Sequence, residues 1–150
     1  MTVRIDLSRE VRASVPHVLK YFMNVEELPR LHPEYIKNVR VIDKKTVSNN
    51  DSDFSIEFEQ EGSFHGKKIK SMNRLTKMAP ENSIRIETID GNGKGSLTTI
   101  KCKEIGPENT QIKLDGELHY GLLEKLLSRS IHSITEKTLE EDIKNIEQSE

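Results

Sequence analysis

From Ile36 to Lys113 one alternating apolar run follows another with no helical stretch between them, and this restricts the chain to one kind of sheet. The runs centre on Val39 and Val41, on Phe54, Ile56 and Phe58, on Ile69 to Met78, on Ile84 and Ile86, on Ile100 and Cys102, and on Ile112 and Leu114. Turn-forming segments separate them: Asn49-Asn50-Asp51, Glu61-Gly62, Ala79-Pro80-Glu81-Asn82, Asp90-Gly91-Asn92-Gly93 and Gly106-Pro107-Glu108-Asn109. Connections this short join only antiparallel neighbours, because a parallel crossover needs a dozen or more residues. Val3, Ile5, Leu7 and Val11 alternate with charged or polar residues in a further half-buried strand, giving about seven strands in an antiparallel meander.

Helical signals lie only at the two ends. Ser14 offers an N-cap, Pro16 fits a first turn, and Val18, Leu19, Phe22 and Met23 follow at helical spacing. Asn24 with Glu27 has the form of a capping box opening a second short helix, with Pro29 and Pro33 stopping propagation. Together they make a helix-turn-helix connection without the basic face that DNA reading requires. Gly121 to Glu147 contains no Gly or Pro after its first residue, and predicts one long helix of about 40 Å. Its apolar stripe is wide from Leu122 to Ile134, which predicts packing of the first half on the sheet, and thins beyond Leu139. Ile143 and Ile146 are thereby left available for a contact between copies, so the expected state is a monomer or a homodimer. No repeat or linker divides the chain, and residues 1–150 read as a single α+β domain.

Composition excludes several functions. Apolar residues make up 33% and charged residues 32%, with a net charge of −2, and the two signs are interspersed along the chain, so no polyanion-binding surface is expected. The chain has no Trp, three Tyr and four Phe, few flat faces for stacking bases, and nucleic acid is not an expected partner. Met1 to Leu7 lacks the continuous apolar run of a signal peptide, and no stretch reaches the ~20 apolar residues of a membrane span. A lone cysteine, Cys102, fits a reducing compartment and reads as a small core residue on the face of Ile100. The expected location is cytoplasmic, without stable membrane insertion.

The clusters that could suggest chemistry read more simply as structure. His17, His32, His65, His119 and His132 stand far apart without ligand spacing, so no metal and no cofactor are expected. Gly91-Asn92-Gly93-Lys94-Gly95-Ser96 lacks the following helix that a phosphate loop requires and reads as a hairpin. Glu26-Glu27 and Glu140-Glu141-Asp142 read as solvated helix faces. The fourth strand divides between Lys67, Ile69, Ser71, Asn73, Leu75 and Lys77 on one face and Lys68, Lys70, Met72, Arg74 and Thr76 on the other. Either Arg74 or the pair Ser71 and Asn73 faces inward, and alternation leaves both open.

Strand, two short helices ending in Leu28-Pro29-Arg30-Leu31-His32-Pro33, a six-strand meander and a long terminal helix resembles the START-like (SRPBCC, Bet v 1-like) superfamily over essentially the whole chain. The local matches lie closest to its polyketide cyclase and coenzyme Q-binding families: Ser14-Val15-Pro16, Pro33 leading into Val39-Arg40-Val41-Ile42, Pro80 before Ser83-Ile84-Arg85-Ile86, and Asp90-Gly91. The resemblance implies a helix-grip fold with a cavity between the sheet and the C-terminal helix. Alternation together with the resemblance gives a lining of Phe54, Ile56, Phe58, Ile86, Leu118, Tyr120, Leu127, Ile131 and Ile134, with Arg74 a further candidate and Leu28, Leu31 and His32 at the mouth, His32 as a rim or surface residue. The implied function is binding or carriage of an apolar small molecule, a lipid, isoprenoid or quinone-like compound. A cyclase and a module docking on a larger assembly are the alternatives. Only Tyr120, His32 and Arg74 bring an ionisable group near the cavity and none has a locally spaced partner, which favours a carrier over an enzyme.

Overall fold

The computed structural model describes residues 3–46, 54–64, 66–78, 82–119 and 124–149, with side chains at all of these except 46, 54, 64, 78 and 124–129. Strands β1 (Val3–Val11), β2 (Ile36–Thr46), β3 (Phe54–Phe64), β4 (Lys67–Met78), β5 (Ser83–Gly91), β6 (Leu97–Gly106) and β7 (Asn109–Leu118) form one sheet in the order β1-β7-β6-β5-β4-β3-β2. Every pairing is antiparallel. Helix α1 (Val15–Met23), a 3-10 turn (Val25–Glu27) and α2 (Leu28–Leu31) carry the chain from one edge strand to the other. Helix α3 (Glu124–Gln148) follows β7. This is the α+β helix-grip arrangement: a curved seven-stranded antiparallel sheet, two short helices after the first strand and a C-terminal helix.

Local chemistry accounts for most of these boundaries. The Ser14 hydroxyl accepts from the His17 amide at the start of α1, as an N-cap should. Val15, Val18 and Leu19 are buried on one face of that helix and join Ile84, Ile100, Cys102 and Ile112 of the sheet in the main core. The Asn24 side chain makes no capping bond, so the expected capping box is absent, and Pro29 opens α2 rather than stopping a helix. A proline in a first turn sacrifices no intrahelical bond, which is why it is accepted there. The hairpin after β5 is confirmed, with Gly91 and Gly93 at positive φ and a strand following.

Glu61-Gly62 is not a turn. β3 runs through both residues to Phe64, and the bend lies at Gly66, with φ of 78°. Gly62 serves a different need, since a Cβ there would run into the carbonyl of Tyr35, where the chain enters β2 and accepts from the Ser63 amide at 3.0 Å. A glycine within a strand marking close backbone approach is a recognised alternative to a turn.

The second half of α3 also departs from expectation. Ile146 is 1% exposed and belongs to the core cluster under α1, with Ile143 packed against it, while Ile131, at the other end, packs on Val3 and Ile5 of β1. Ile146 is therefore spent within the chain, while Ile143, packed against the same core, is only partly buried. A stripe narrows where a helix meets other helices at a few points instead of a broad sheet face. Ile146→Ala is expected to lower unfolding stability by roughly 2–5 kcal/mol through lost burial and a residual cavity. Urea denaturation measures this, and unchanged stability would return Ile146 to the surface.

Candidate functional site

Alternation along the sheet sends every second side chain to the concave face, and the described side chains of α3 leave part of that face uncovered. A cavity of about 380 Å³ remains between them. Its sheet wall includes Phe58, Ile69, Ser71, Asn73, Ile86, Thr88, Thr98, Ile100, Leu114 and Leu118. The helix contributes Ile131, Ile134, Thr135, Thr138 and Asp142, and the α1-to-β2 segment contributes Phe22, Val25, Leu28, His32, Tyr35 and Ile36.

Of the residues expected from the sequence, Leu28, His32, Phe58, Ile86, Leu118, Ile131 and Ile134 meet around this space. Leu31 does not; it lines a separate cleft of about 560 Å³ bounded by α1, α2 and the end of α3. Ile56 is 4% exposed within the main core and is not part of the cavity wall. Phe54 and Leu127, as side chains, and Tyr120 entirely, lie outside the described residues. Arg74 is a correction: it stands on the opposite face of β4, where its guanidinium donates to Glu57 at 3.1 and 3.2 Å and approaches Glu87. The register decides this. Glu57 is its direct partner across β3 and Glu87 across β5, so an outward Arg74 meets two carboxylates.

The inward face of β4 instead carries Ser71 and Asn73, the other alternative the sequence left open. Asn73 is 6% exposed; its Nδ2 donates to Ser71 Oγ at 3.1 Å, and its Oδ1 accepts from Thr88 Oγ1 at 2.8 Å. Thr88 reaches it from β5, directly opposite in the register.

A second polar group sits where α3 meets the segment after α2. His32, expected at the rim or surface, is buried at 6% exposure. Its Nε2 lies 2.8 Å from Asp142 Oδ1 and its Nδ1 3.3 Å from Glu141 Oε2. Two ring nitrogens facing two carboxylates are both satisfied as donors only in the imidazolium form. Burial alone would lower the His32 pKa, but the hydrogen bond and charge of Asp142, then those of Glu141, outweigh it and hold the pKa above its ordinary value. Tyr21 donates to the same Asp142 Oδ1 at 2.7 Å and accepts from Asn145 Nδ2 at 3.3 Å. Its phenol is pushed well above the usual range, first by burial and then by Asp142. Asp142 is thus not part of a solvated face; only 15% of its side chain is exposed. Its partners lie more than 100 positions away in sequence, so no local spacing announced it.

Burial pushes the Cys102 thiol up to about 11, which leaves it an inert core group. Among the described residues no group of three or more His, Cys, Asp or Glu is placed to hold a metal ion, and no helix is long and apolar enough to cross a membrane.

No protein-family model matches the chain, and no curated protein matches it in sequence. Solved structures do match in fold. A START superfamily protein from Mycobacterium smegmatis superposes with a TM-score of 0.72 at 16% identity, covering 95% of this chain and 98% of that one. The Zhui aromatase/cyclase from Streptomyces sp. R1128 gives 0.73 at 10% identity over 97% and 92%. Norcoclaurine synthase from Thalictrum flavum, in complex with dopamine and hydroxybenzaldehyde, gives 0.66 at 16% identity over 100% and 90%. The chain has the START-like fold.

The raised His32 pKa carries a sign. Protonation is tighter in the folded state, so the stabilisation from this group is full below the unfolded value of about 6.5 and is lost as pH rises through the folded value. His32→Gln is expected to cost roughly 1.5–3 kcal/mol at pH 6, the scale of hydrogen bonds to charged groups, and distinctly less at pH 8.5. Urea unfolding at both pH values tests this; an equal deficit at the two would exclude the imidazolium.

Proposed function

We propose that this chain binds and carries an apolar small molecule, of lipid, isoprenoid or quinone-like character, in the cavity between the sheet and α3, and releases it chemically unchanged. The observation that carries the reading is the unfilled space of about 380 Å³ on the concave face. Small-molecule sites commonly span roughly 300–1,000 Å³ and combine apolar walls with a few convergent polar groups. Phe58, Ile69, Ile86, Leu114, Leu118, Ile131 and Ile134 supply the walls. Transfer of a ligand from water onto them gains about 25 cal/mol per Å² of apolar surface removed. No covalent step is required.

Two of the matched structures are named as an aromatase/cyclase and a synthase, which makes catalysis the reading to weigh against carriage. Of the three ionisable candidates, Tyr120 lies outside the described residues, and the two that are described favour carriage. A general acid or base must have a nitrogen or oxygen free for the substrate. Both nitrogens of His32 already face carboxylates, and Arg74 stands on the far side of the sheet. A module acting only by docking on a larger assembly would need no hollow interior, and the cavity speaks against it as the primary role.

Native mass spectrometry of the protein purified from its own host is expected to reveal an apolar molecule that dissociates unmodified. Ile86→Trp, which projects a large ring from the centre of the sheet wall, is expected to displace that molecule while preserving the far-ultraviolet dichroism. Conversion of the bound species on incubation, abolished by His32→Gln, would replace carriage with catalysis.

A further inference from the structure

The sheet wall carries a buried array of neutral polar groups with hydrogen-bonding capacity to spare, and we infer that it receives an uncharged oxygen function of the ligand, a ketone, ester or hydroxyl oxygen seated on Asn73 and Ser71. This rests on the reading of the cavity as a ligand site and names the chemical class that site takes. A carboxamide has two N–H donors and an oxygen with two lone pairs. Asn73 uses one donor on Ser71 Oγ at 3.1 Å and one acceptor position for Thr88 Oγ1 at 2.8 Å. Among the described residues, one Asn73 N–H and the Ser71 hydroxyl proton have no further partner, and both residues line the cavity. Asn73 is 6% exposed, so its remaining donor gains little from bulk water. A buried donor left unpaired carries the full cost of its desolvation. A ligand oxygen accepting from Asn73 Nδ2 and Ser71 Oγ removes that cost.

The charges around the cavity select against an ionised ligand. Arg74, next to Asn73 on β4, is directed to the other face of the sheet and held by Glu57 and Glu87. Across the cavity, Asp142 and His32 are the charged residues on the described wall, and His32 also faces Glu141. One imidazolium against two carboxylates leaves this end net negative. A carboxylate entering the cavity would lose its hydration and meet that field, and burial of an unpaired charge is far costlier than burial of a neutral carbonyl.

The test compares 2-tridecanone and 1-dodecanol with dodecanoate at pH 7.5, each displacing the neutral dye 1-aminoanthracene from the full chain. The ketone and the alcohol are expected to bind at least tenfold more tightly than dodecanoate. In Asn73→Leu the preference for the ketone over dodecanoate is expected to fall below threefold. Should Asn73→Leu fail to fold by circular dichroism, Ser71→Ala, which removes a donor without adding volume, is expected to narrow the same preference by threefold or more. Equal affinity for dodecanoate, or a preference that survives these substitutions, overturns the inference while leaving the cavity a ligand site. If the dye neither binds the wild-type chain nor is displaced, the cavity reading itself falls and this inference falls with it.

Discussion

The structure depends on how one helix covers the concave face of a seven-stranded sheet. A curved antiparallel sheet leaves an apolar hollow that water penalises, and α3 is the element that closes it. The helix is held at several points along its described length. Ile131 packs on Val3 and Ile5, and Ile146 enters the core formed with Val15, Val18 and Leu19 of α1. Between these anchors Ile134, Thr135, Thr138 and Asp142 face open space. Leu139, 1% exposed, and Asp142, bonded to Tyr21 and His32, add further supports between them, and the cavity occupies the part of the concavity that these contacts leave open. The closure of the sheet matters equally, because β1 pairs with β7 and so brings the first strand beneath the last helix.

Polar groups are distributed according to where water can reach them. On the convex side, Arg74 lies among Glu57 and Glu87, and Lys70 among Glu59 and Glu61, each pair having at least one half-exposed partner. Inside, the sheet wall shows uncharged hydrogen-bonding residues, and the charged exception, His32 with Asp142, is paired. Tyr21, Asp142 and His32 tie α1, α3 and the start of the β2 arm into one network. Removing a member of such a network leaves its partners buried and unpaired, which is why the helix is specified here and not merely covered by apolar contact.

Much of this was legible in the residues. The seven strands, the order of the helices, the Ser14 cap, the hairpin at Gly91 and the buried Cys102 all follow from periodicities and turn chemistry within about ten residues. The misreadings share a physical cause. Glu61-Gly62 resembled a turn because glycine is permissive, whereas this one is demanded by the Tyr35 carbonyl, a neighbour from another strand. Ile146 resembled part of a free face because the core it joins includes residues of α1 more than 100 positions earlier. Asp142 resembled a solvated acid for the same reason.

By itself the sequence determined the class of sheet, the succession of elements and which residues share a face, because those depend on the local period of the chain and the shortness of its connections. It could not choose the face of β4 that turns inward, since Ile69 and Leu75 stand with two lysines on one side and Met72 and Thr76 with Arg74 on the other. Alternation states which side chains travel together, and only pairing with β3 and β5 sets the side on which they arrive. The tertiary structure also decided that the interior stays partly hollow and that His32 meets Asp142. Both result from how α3 lies over the sheet, which depends on contacts of Ile131, Asp142 and Ile146 with parts of the chain far away in sequence and is encoded in no single segment.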